Sequence, residues 1–413
     1  MRILVISNLY PPGGLGGYEQ ECAVIVEHLR SRHEVLVLTS RYRRDRIPDE
    51  STVRRTLPIR ERHGIDSLRA PLWALSGVRE VRRAMAGFNP DLVFVWNGAR
   101  LPQAALRVAA AAGVPTAFRV CEHWFEDLYS ADPFMRHLYP GERGLRGAWA
   151  RLARLANRHP ALRLDVTRPE PATISWVTDF MRRSMERPPL VRPLLEQTVH
   201  WGILQPPARR HPDGRPTLAF VGRLSPSKGA DLAVSALALL RTRHGIDARL
   251  LVTGPDDEGH GAQLRELAEG LGVSGQVEFL GALEPREVQA VYARSHVLLI
   301  PSRWQEPAGL VAIEAAAAEL PVVAARSGAL PELLREGSEA LFFDIGDAEG
   351  CARAVAQALE DGQATRTRVE RAHERAQLFS LERYFEATDR FLADTMTAYA
   401  RDWASVPDSA ATE

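Results

Sequence analysis

The chain contains a single lysine, Lys228, and all its other basic residues are arginine. Lys228 lies in the segment Gly222-Arg-Leu-Ser-Pro-Ser-Lys-Gly229, which follows an apolar stretch typical of a strand and precedes a helical pattern. An ammonium group is a compact point charge on a flexible stem, and backbone N–H groups at the start of a helix are free to bind anions. The segment therefore predicts a phosphate-binding loop, with a solvated lysine in a plain turn as the alternative.

Two glutamates further along the chain are spaced to bind hydroxyl groups. Glu306 falls in the loop after a predicted buried strand, and Glu314 falls inside the helix that Gly309 opens. A carboxylate near the carboxyl end of a strand can accept hydrogen bonds from a ribose diol or a sugar ring, and the amides of Gly309 and Leu310 are unpaired donors for anionic oxygens. The alternative is a solvated loop acid and a surface helix residue, but the alanines around Glu314 indicate close packing.

The first half of the chain offers two further candidates, each placed directly after a predicted strand. The segment Tyr10-Pro-Pro-Gly-Gly-Leu-Gly-Gly-Tyr-Glu19 joins the first strand to the first helix, and its glycines permit a ligand to approach the backbone. Its spacing differs from the dinucleotide-binding fingerprint, and no acidic residue ends the second strand. His123 follows a strand that ends at Val120 and is placed to touch an incoming hydroxyl or sugar. A tight turn and a structural histidine are the alternatives.

These candidates depend on elements that bring strand ends together. Strand and helix patterns alternate along the chain, which predicts an α/β architecture with parallel sheets. The predicted strands are Ile3–Ser7, Glu34–Leu38, Leu92–Trp96, Thr116–Val120, Thr173–Val177, Leu218–Val221, Arg249–Gly254, Val277–Leu280, Val297–Pro301, Val322–Ala325 and Ala340–Phe343. Ligands of open parallel sheets bind at the carboxyl ends of the strands, which is where the candidate residues fall.

The length of 413 residues predicts two domains. Proline, glycine and charge crowd together over 205–216, which marks the boundary. We expect an N-terminal domain, a linker, a C-terminal domain, a C-terminal helix and a disordered tail. Their predicted ranges are 1–200, 201–216, 217–378, 379–404 and 405–413.

Composition excludes several classes of protein. The hydrophobic fraction of 45% and the charged fraction of 25% are ordinary for globular proteins. No apolar run has membrane-spanning length, and the first residues resemble a buried strand more than a signal peptide. Three scattered cysteines predict neither a disulfide framework nor a zinc site. We therefore expect a cytoplasmic protein.

Charge is distributed unevenly along this chain of zero net charge. Residues 1–200 hold 30 arginines against 21 acidic residues, which predicts either an anionic partner or attraction between the two halves. The segment 135–168 is rich in arginine, and Leu145, Trp149, Leu152 and Leu155 recur in it at helical spacing. A basic amphipathic helix can bind an anionic membrane surface or a phosphorylated acceptor, and a helix that turns its apolar residues to the core is the alternative.

The motifs together resemble those of the GT-B-fold glycosyltransferases of family 4. The Glu-x7-Glu segment from Glu306 to Glu314 is similar to the signature of that family, and Gly222–Gly229 resembles its diphosphate-binding segment. The resemblance covers most of the second predicted domain and, more loosely, the first. It implies two facing Rossmann-like domains with parallel sheets and an interdomain cleft, in which the N-terminal domain (1–200) binds the acceptor and the C-terminal domain (217–378) binds the donor. It also implies that the C-terminal helix (379–404) crosses back to the first domain.

The resemblance also implies a role for each candidate. Arg223 and Lys228 would neutralise the diphosphate of a nucleotide-sugar donor and stabilise its departure. Glu314 would bind the ribose hydroxyls, and Glu306 would bind the hydroxyls of the donor sugar. Further donor contacts would come from Gly16, Gly17, Gly309 and Leu310. The base of the nucleotide would lie near Gly254-Pro255 and Phe279-Leu-Gly281. The acceptor would contact Glu122 and His123, and His123 would also lie close to the reacting groups.

Three positions depart from the family pattern. Ala308 replaces a bulky aromatic residue, Ser327-Gly328-Ala329 replaces the usual Gly-Gly before Leu-Pro-Glu, and Trp201-Gly-Ile-Leu204 replaces an Asn-Gly-Ile/Val-Asp sequence. The departures leave the basic pair and the two glutamates intact. They put the identity of the donor sugar in doubt.

We therefore expect a retaining glycosyltransferase that moves a sugar from a nucleotide-sugar to an acceptor hydroxyl. The chain has no Asp-x-Asp motif, so neither a metal nor another cofactor is expected. The expected partners are the donor and an unidentified hydroxyl acceptor, anionic or lipid-linked, with peripheral membrane contact through the basic N-terminal domain and no nucleic acid. A nucleotide-sugar epimerase on a similar scaffold and a non-catalytic nucleotide-sugar or polyanion-binding protein are the alternatives.

Overall fold

The computed structural model describes residues 1–12, 16–43, 47, 50–60, 69–130, 132–138, 145–160, 163–205, 210–212, 214–256, 259–360 and 362–405. The chain forms two compact units. Unit 1 comprises Met1–Val177, Arg182–Val199 and Phe385–Glu413, and unit 2 comprises Thr178–Met181 and His200–Tyr384. The predicted tail beyond residue 405 and part of the predicted linker, 206–209 and 213, lie outside the described residues.

Unit 1 contains a parallel sheet with the strand order β3-β2-β1-β4-β5-β6-β7. Its strands are β1 Arg2–Ser7, β2 Glu34–Ser40, β3 Val53–Leu57, β4 Leu92–Asn97, β5 Thr116–Val120, β6 Glu170–Trp176 and β7 Val191–Thr198. The central strands read as continuous apolar runs because helices cover both faces of a parallel sheet. The strand order reverses between β1 and β4, so the loops after β1, β4 and β5 share one edge.

Unit 2 contains a second parallel sheet, with the order β10-β9-β8-β11-β12-β13. Its strands are β8 Thr217–Val221, β9 Arg249–Thr253, β10 Val277–Gly281, β11 Val297–Ile300, β12 Val322–Ala325 and β13 Leu341–Phe343. Apolar clusters lie on the two faces of this sheet, and they include Leu237 and Val355 on one face and Tyr292 and Ile313 on the other. Both halves are therefore Rossmann-like, with helices packed on parallel strands.

Thirteen α-helices lie in the described residues. They are α1 Gly17–Arg30, α2 Ala70–Phe88, α3 Gln103–Ala110, α4 Leu145–Asn157, α5 Asp179–Ser184, α6 Ala230–His244, α7 His260–Gly270, α8 Pro285–Ala293, α9 Leu310–Ala317, α10 Leu330–Leu333, α11 Ala348–Glu360, α12 Gly362–Ala376 and α13 Leu381–Ser405. No helix of the described chain combines the length and the apolarity that crossing a bilayer requires.

The C-terminal helix α13 contributes to unit 1 from Phe385 onward. Its Asp389 carboxylate accepts hydrogen bonds from His28 Nε2 at 3.0 Å and Arg32 Nη1 at 2.8 Å. Further along the helix, the Tyr399 hydroxyl donates to the Pro171 carbonyl at 2.5 Å. These polar contacts of Asp389 and Tyr399, together with the buried Phe391 side chain between them, fix the helix on this unit.

All eleven strands predicted from the sequence are present, but two further strands were missed. Both are edge strands of unit 1, where the apolar pattern is weakest. Strand β3 has the sequence Val-Arg-Arg-Thr-Leu, and its buried Arg55 donates to the carbonyls of Tyr10 at 3.0 Å and Pro11 at 2.7 Å. Strand β7 contains Pro193, which an edge strand tolerates because one side of it needs no backbone donor.

The helical pattern in the sequence predicts a helix over Val78–Ala86, whereas helix α2 begins earlier, at Ala70, and ends at Phe88. Pro71 occupies its first turn, where the missing N–H costs nothing. Gly77 interrupts the helical pattern, and the structure shows why a glycine stands there. A Cβ atom added to Gly77 would lie 2.5 Å from Pro102 Cγ, so the two segments approach too closely for any side chain.

Replacing Gly77 by alanine is expected to lower the free energy of unfolding by about 1–3 kcal/mol, because overpacking a close-packed contact costs that much. Gly87 on the same helix is the matched control, since a Cβ added there meets only Arg54 Nη1 at 3.9 Å. Gly87→Ala is expected to raise the free energy of unfolding by up to about 1 kcal/mol, the gain in helix propensity. Chemical denaturation measures both changes, and a stabilising Gly77→Ala would contradict the packing described here.

Candidate functional site

Lys228 and Glu306, predicted from separate motifs, form an ion pair in unit 2. Lys228 follows strand β8, and Glu306 follows strand β11, which pairs directly with β8. The Lys228 Nζ atom lies 2.7 Å from Glu306 Oε1 and 2.9 Å from Oε2. The Glu306 side chain is only 9% exposed, whereas that of Lys228 is 32% exposed. Lys228 therefore gives the buried Glu306 carboxylate a counter-charge and hydrogen bonds, while the lysine side chain stays partly exposed.

The loop that carries Lys228 is bound to the loop after β11 by backbone hydrogen bonds. The Ser227 carbonyl accepts from the backbone N–H groups of Arg303 at 2.8 Å and Trp304 at 3.0 Å. The guanidinium of Arg303 donates to both carboxylate oxygens of Asp231, at 2.7 Å each. Bidentate pairs of this kind fix orientation as well as distance. The arrangement holds Lys228 beside Glu306 without any contact from a bound ligand.

Gly229 allows the two loops to come this close. Its φ is 74°, in the left-handed region, and a Cβ atom there would lie 2.0 Å from the Pro301 carbonyl oxygen. Only glycine meets both conditions without strain. The sequence placed this glycine in the phosphate-binding loop, and the structure adds that it is also a packing contact between β8 and β11.

Gly328, which follows β12, packs against the backbone of Glu306. Its φ is 56°, and an added Cβ atom would lie 2.2 Å from Glu306 N and 2.4 Å from Glu306 O. The Glu306 carbonyl also accepts the N–H of Ala329 at 2.8 Å. Ala329 has a φ of −77°, an ordinary helical value. The departure at Ser327-Gly328-Ala329 therefore keeps glycine at the position that requires it.

Glu314 lies on α9, the helix that begins after Gly309. Its Oε2 atom accepts a hydrogen bond from the Tyr292 hydroxyl at 3.0 Å. Burial raises the pKa of Glu314, and the hydrogen bond from Tyr292 opposes that shift. Among the described residues, no other group makes a hydrogen bond to this carboxylate, so Oε1 is left for a ligand.

Arg223 and the predicted base-binding segments lie at the same edge of unit 2. Arg223 is exposed at the end of β8, and it forms no ion pair with any residue that the structure describes. The N–H of Gly254 and the hydroxyl of Thr253 both donate to the Gly281 carbonyl, at 2.9 Å and 2.8 Å. The ends of β9 and β10 thus meet where the sequence predicted a base.

In unit 1, Tyr18 connects the first turn of α1 to two strand ends, while residues 13–15 of the predicted glycine-rich loop lie outside the described residues. Its buried hydroxyl lies 2.5 Å from the Trp96 carbonyl oxygen and 2.8 Å from that of Arg119, at the ends of β4 and β5. The N–H of the Trp96 indole donates to the Tyr18 carbonyl at 3.0 Å. Gly16 and Gly17, at the start of α1, are exposed at this edge of the sheet.

The predicted acceptor residues follow β5 at the same edge. His123 opens a short 3-10 helix over His123–Phe125, and its side chain is 36% exposed. Its Nδ1 atom lies 3.5 Å from Oε2 of Glu126, and Glu126 was not among the site residues predicted from the sequence. Glu122 is exposed. Within unit 1, therefore, Gly16, Gly17, Glu122 and His123 share one edge, and their roles remain predictions.

Two family models match most of this chain. The model for glycosyl transferases group 1 matches residues 204–376, and the model for the glycosyl transferase 4-like domain matches residues 16–174. The chain belongs to the family 4 glycosyltransferases. This membership confirms the resemblance of the motifs, and the alternative of an epimerase gains no support from the matches.

Similar proteins support the family and the fold. The chain is 38% identical over 167 residues to a D-inositol 3-phosphate glycosyltransferase of Corynebacterium glutamicum, with 40% of each chain covered. The chain thus spans about two fifths of the length of the curated relatives it matches. Sucrose-phosphate synthase of Thermosynechococcus elongatus is 18% identical, with a TM-score of 0.67 and coverage of 96% of this chain and 99% of that one. Anabaena HepE, solved with UDP, is 20% identical, with a TM-score of 0.66 and coverage of 95% and 100%. The fold is GT-B.

Several residues that build this site could not be selected from the sequence. Tyr292 lies in an apolar helical pattern and gave no signal beyond the rule that a buried hydroxyl seeks a partner. Arg303 and Asp231 are separated by 72 residues and meet only because β8 and β11 are neighbours. Among the described residues, no group of three or more His, Cys, Asp or Glu side chains is arranged to bind a metal ion.

Replacing Gly328 by alanine is expected to destabilise the protein more than the same change at Gly337. Both residues have left-handed backbones, and alanine in that region costs about 1–2 kcal/mol at either site. Only Gly328 lies against another backbone, since a Cβ atom added to Gly337 has open space around it. Urea denaturation measures the difference in unfolding free energy. Equal losses in the two variants would contradict the contact with Glu306.

Proposed function

We propose that this protein transfers a sugar from a nucleotide-sugar donor to an acceptor hydroxyl, with retention of anomeric configuration and without a metal ion. The observation that carries the proposal is the contact between Lys228 and Glu306. In a nucleotide-sugar, the diphosphate is bonded directly to the sugar ring. A site for this ligand therefore needs a cation and a hydroxyl acceptor side by side, and this pair supplies both.

The basic pair would act on the leaving group. As the bond between the anomeric carbon and the diphosphate oxygen breaks, negative charge develops on the diphosphate, and Arg223 and Lys228 stabilise it. The acceptor oxygen forms its bond on the same face of the sugar, and its proton passes to the departing phosphate. The amides of Gly309 and Leu310 bind further phosphate oxygens at the start of α9.

The glutamates would orient the donor. Glu306 accepts hydrogen bonds from the sugar hydroxyls, and Glu314 accepts them from the ribose. The Anabaena relative has been solved with UDP and with UDP-glucose, which supports a nucleoside diphosphate ligand for this fold. In unit 1, Gly16 and Gly17 provide backbone contacts near the donor phosphate, while Glu122 and His123 contact the acceptor, with His123 next to the reacting groups.

A calorimetric panel of UDP, GDP, ADP and dTDP tests the donor site. One nucleotide is expected to bind the parent protein with micromolar affinity. Lys228→Met is expected to weaken that binding and to abolish turnover. Glu314→Ala is expected to weaken nucleotide binding even when no sugar is attached. The methionine keeps the side-chain stem, so the lost charge is the main change. Arg243→Ala, an exposed cation at the end of α6, is the control and is expected to change neither quantity.

Two outcomes of this panel would count against the proposal. Absence of binding to all four nucleotides would remove the donor site. Parental turnover in Lys228→Met would show that the lysine does not stabilise the leaving diphosphate. Retention is checked separately, by the anomeric configuration of the first product formed.

We also propose that helix α4 places the enzyme on an anionic membrane surface, at its cytoplasmic face. Ala150 and Ala153 are buried, whereas Leu152 and Leu155 are 53% and 60% exposed. These two leucines therefore do not pack into the core, which supports a surface role for this part of the helix. The helix instead exposes two large apolar side chains to solvent, beside the exposed Arg151 and Arg154, and the exposed Arg158 directly follows it. Exposed leucines flanked by arginines match a bilayer with anionic headgroups.

Binding to vesicles that contain phosphatidylglycerol tests this surface. Two multiple variants are each expected to reduce sedimentation with these vesicles: Leu152→Ser/Leu155→Ser and Arg151→Gln/Arg154→Gln/Arg158→Gln. The first removes apolar side chains that would enter the bilayer surface. The second removes charge, and each basic residue near an anionic surface contributes about 1 kcal/mol to binding. Leu378→Ser, at a leucine 50% exposed in unit 2, is the control. Undiminished binding by both multiple variants, or equal binding to phosphatidylcholine vesicles, would contradict the proposal.

A further inference from the structure

We propose that Tyr292 is a positioning residue for Glu314 and thereby sets the affinity of the site for the ribose of the donor. The inference rests on the proposed function, in which Glu314 accepts the ribose hydroxyls. Tyr292 itself is fully buried and touches no ligand in this scheme. It acts only through the hydrogen bond from its hydroxyl to Glu314 Oε2.

Helices α8 and α9 bring the two residues together. Tyr292 lies in the last turn of α8, and Glu314 lies in the middle of α9. Both helices cover the same face of the sheet, where Tyr292 packs in a cluster with residues of α9 such as Ile313 and Ala315. The tyrosine ring is therefore held by packing, and its hydroxyl offers Glu314 a fixed donor.

Nothing else in the described structure orients the Glu314 carboxylate. The other side chains of α9, from Leu310 to Ala317, are all apolar and offer this carboxylate no hydrogen bond. A glutamate side chain has three rotatable bonds, and ordering it costs conformational entropy. The 3.0 Å hydrogen bond orders the Glu314 side chain in the absence of a ligand, so less conformational entropy is lost when a ligand binds. It leaves Oε1 for the ribose hydroxyls.

The hydrogen bond also favours the state of Glu314 that accepts hydroxyls. Burial raises the pKa of the carboxyl group, and the donated hydrogen bond from Tyr292 lowers it. Burial raises the pKa of Tyr292 well above its ordinary range, so its hydroxyl remains a donor. Tyrosine, unlike phenylalanine, therefore favours the carboxylate form of Glu314, in which both oxygens accept hydrogen bonds.

The test compares each ribonucleotide with its 2′-deoxy counterpart by calorimetry. UDP, GDP and ADP are titrated into the parent, Tyr292→Phe and Glu314→Gln, and the ratio of the two dissociation constants is recorded. The parent is expected to prefer the ribonucleotide that it binds. Tyr292→Phe is expected to reduce this preference by roughly tenfold, the usual range for a hydrogen bond to a charged group. In turnover, its KM is expected to rise with little change in kcat, because ribose binding is common to ground and transition states.

Tyr399→Phe is the matched control, since that hydroxyl is also buried and hydrogen-bonded, to the Pro171 carbonyl, but lies in unit 1. It is expected to keep the parental ribose preference. The ratio is insensitive to a general loss of folded protein, because both ligands report on the same active fraction. The double variant Tyr292→Phe/Glu314→Gln adds a coupling test, and it should show no further loss beyond Glu314→Gln.

The outcomes separate the two proposals. An unchanged ribose preference in Tyr292→Phe, with the preference lost in Glu314→Gln, would overturn the role of Tyr292 and leave the ribose site intact. An unchanged preference in Glu314→Gln would instead overturn the assignment of Glu314 to ribose. A further loss in the double variant would show that Tyr292 acts by some route other than Glu314.

Discussion

The carboxylate of Glu306 is the constraint on which the arrangement of the loops in unit 2 depends. It is nearly excluded from water, and a charge in that position needs a counter-charge and hydrogen-bond donors. Lys228 supplies them, but only because two loops that follow neighbouring strands lie within van der Waals contact. That approach in turn requires a glycine on each side of the glutamate, at Gly229 and Gly328. The ion pair therefore depends on the pairing of β8 with β11 and on the two glycines that let the loops pack closely.

Much of this arrangement could be predicted from the sequence, because its causes are local. The buried central strands form short apolar runs between turn residues, and each candidate residue lies a few positions after such a run. Edge strands β3 and β7 lack that signal, since their exposed sides carry arginine, proline and glutamate. The contact between Tyr292 and Glu314 has no local cause at all. It depends on how two helices pack on one face, which neither spacing nor composition encodes.

Unit 1 uses a different means to align its strand ends. The phenolic hydroxyl of Tyr18 contacts the backbone at the ends of β4 and β5, and the Trp96 indole returns a hydrogen bond to the backbone of α1. The start of α1 is therefore positioned by one buried aromatic pair, while the side chain of Glu122 is exposed and that of His123 is partly exposed. In unit 2 the accessible group is a cation already paired with a glutamate.

The pairing of Lys228 with Glu306 has a consequence for selectivity under the proposed mechanism. A diphosphate that draws Lys228 away leaves a buried carboxylate without its cation, which is costly unless new donors reach it. The hydroxyls of an attached sugar are such donors, whereas a nucleoside diphosphate alone has none at that position. The complete donor therefore satisfies both partners of the ion pair, and the product satisfies one. Ground-state pairing of the two side chains thus favours binding of the nucleotide-sugar and release of the spent nucleotide from the same site.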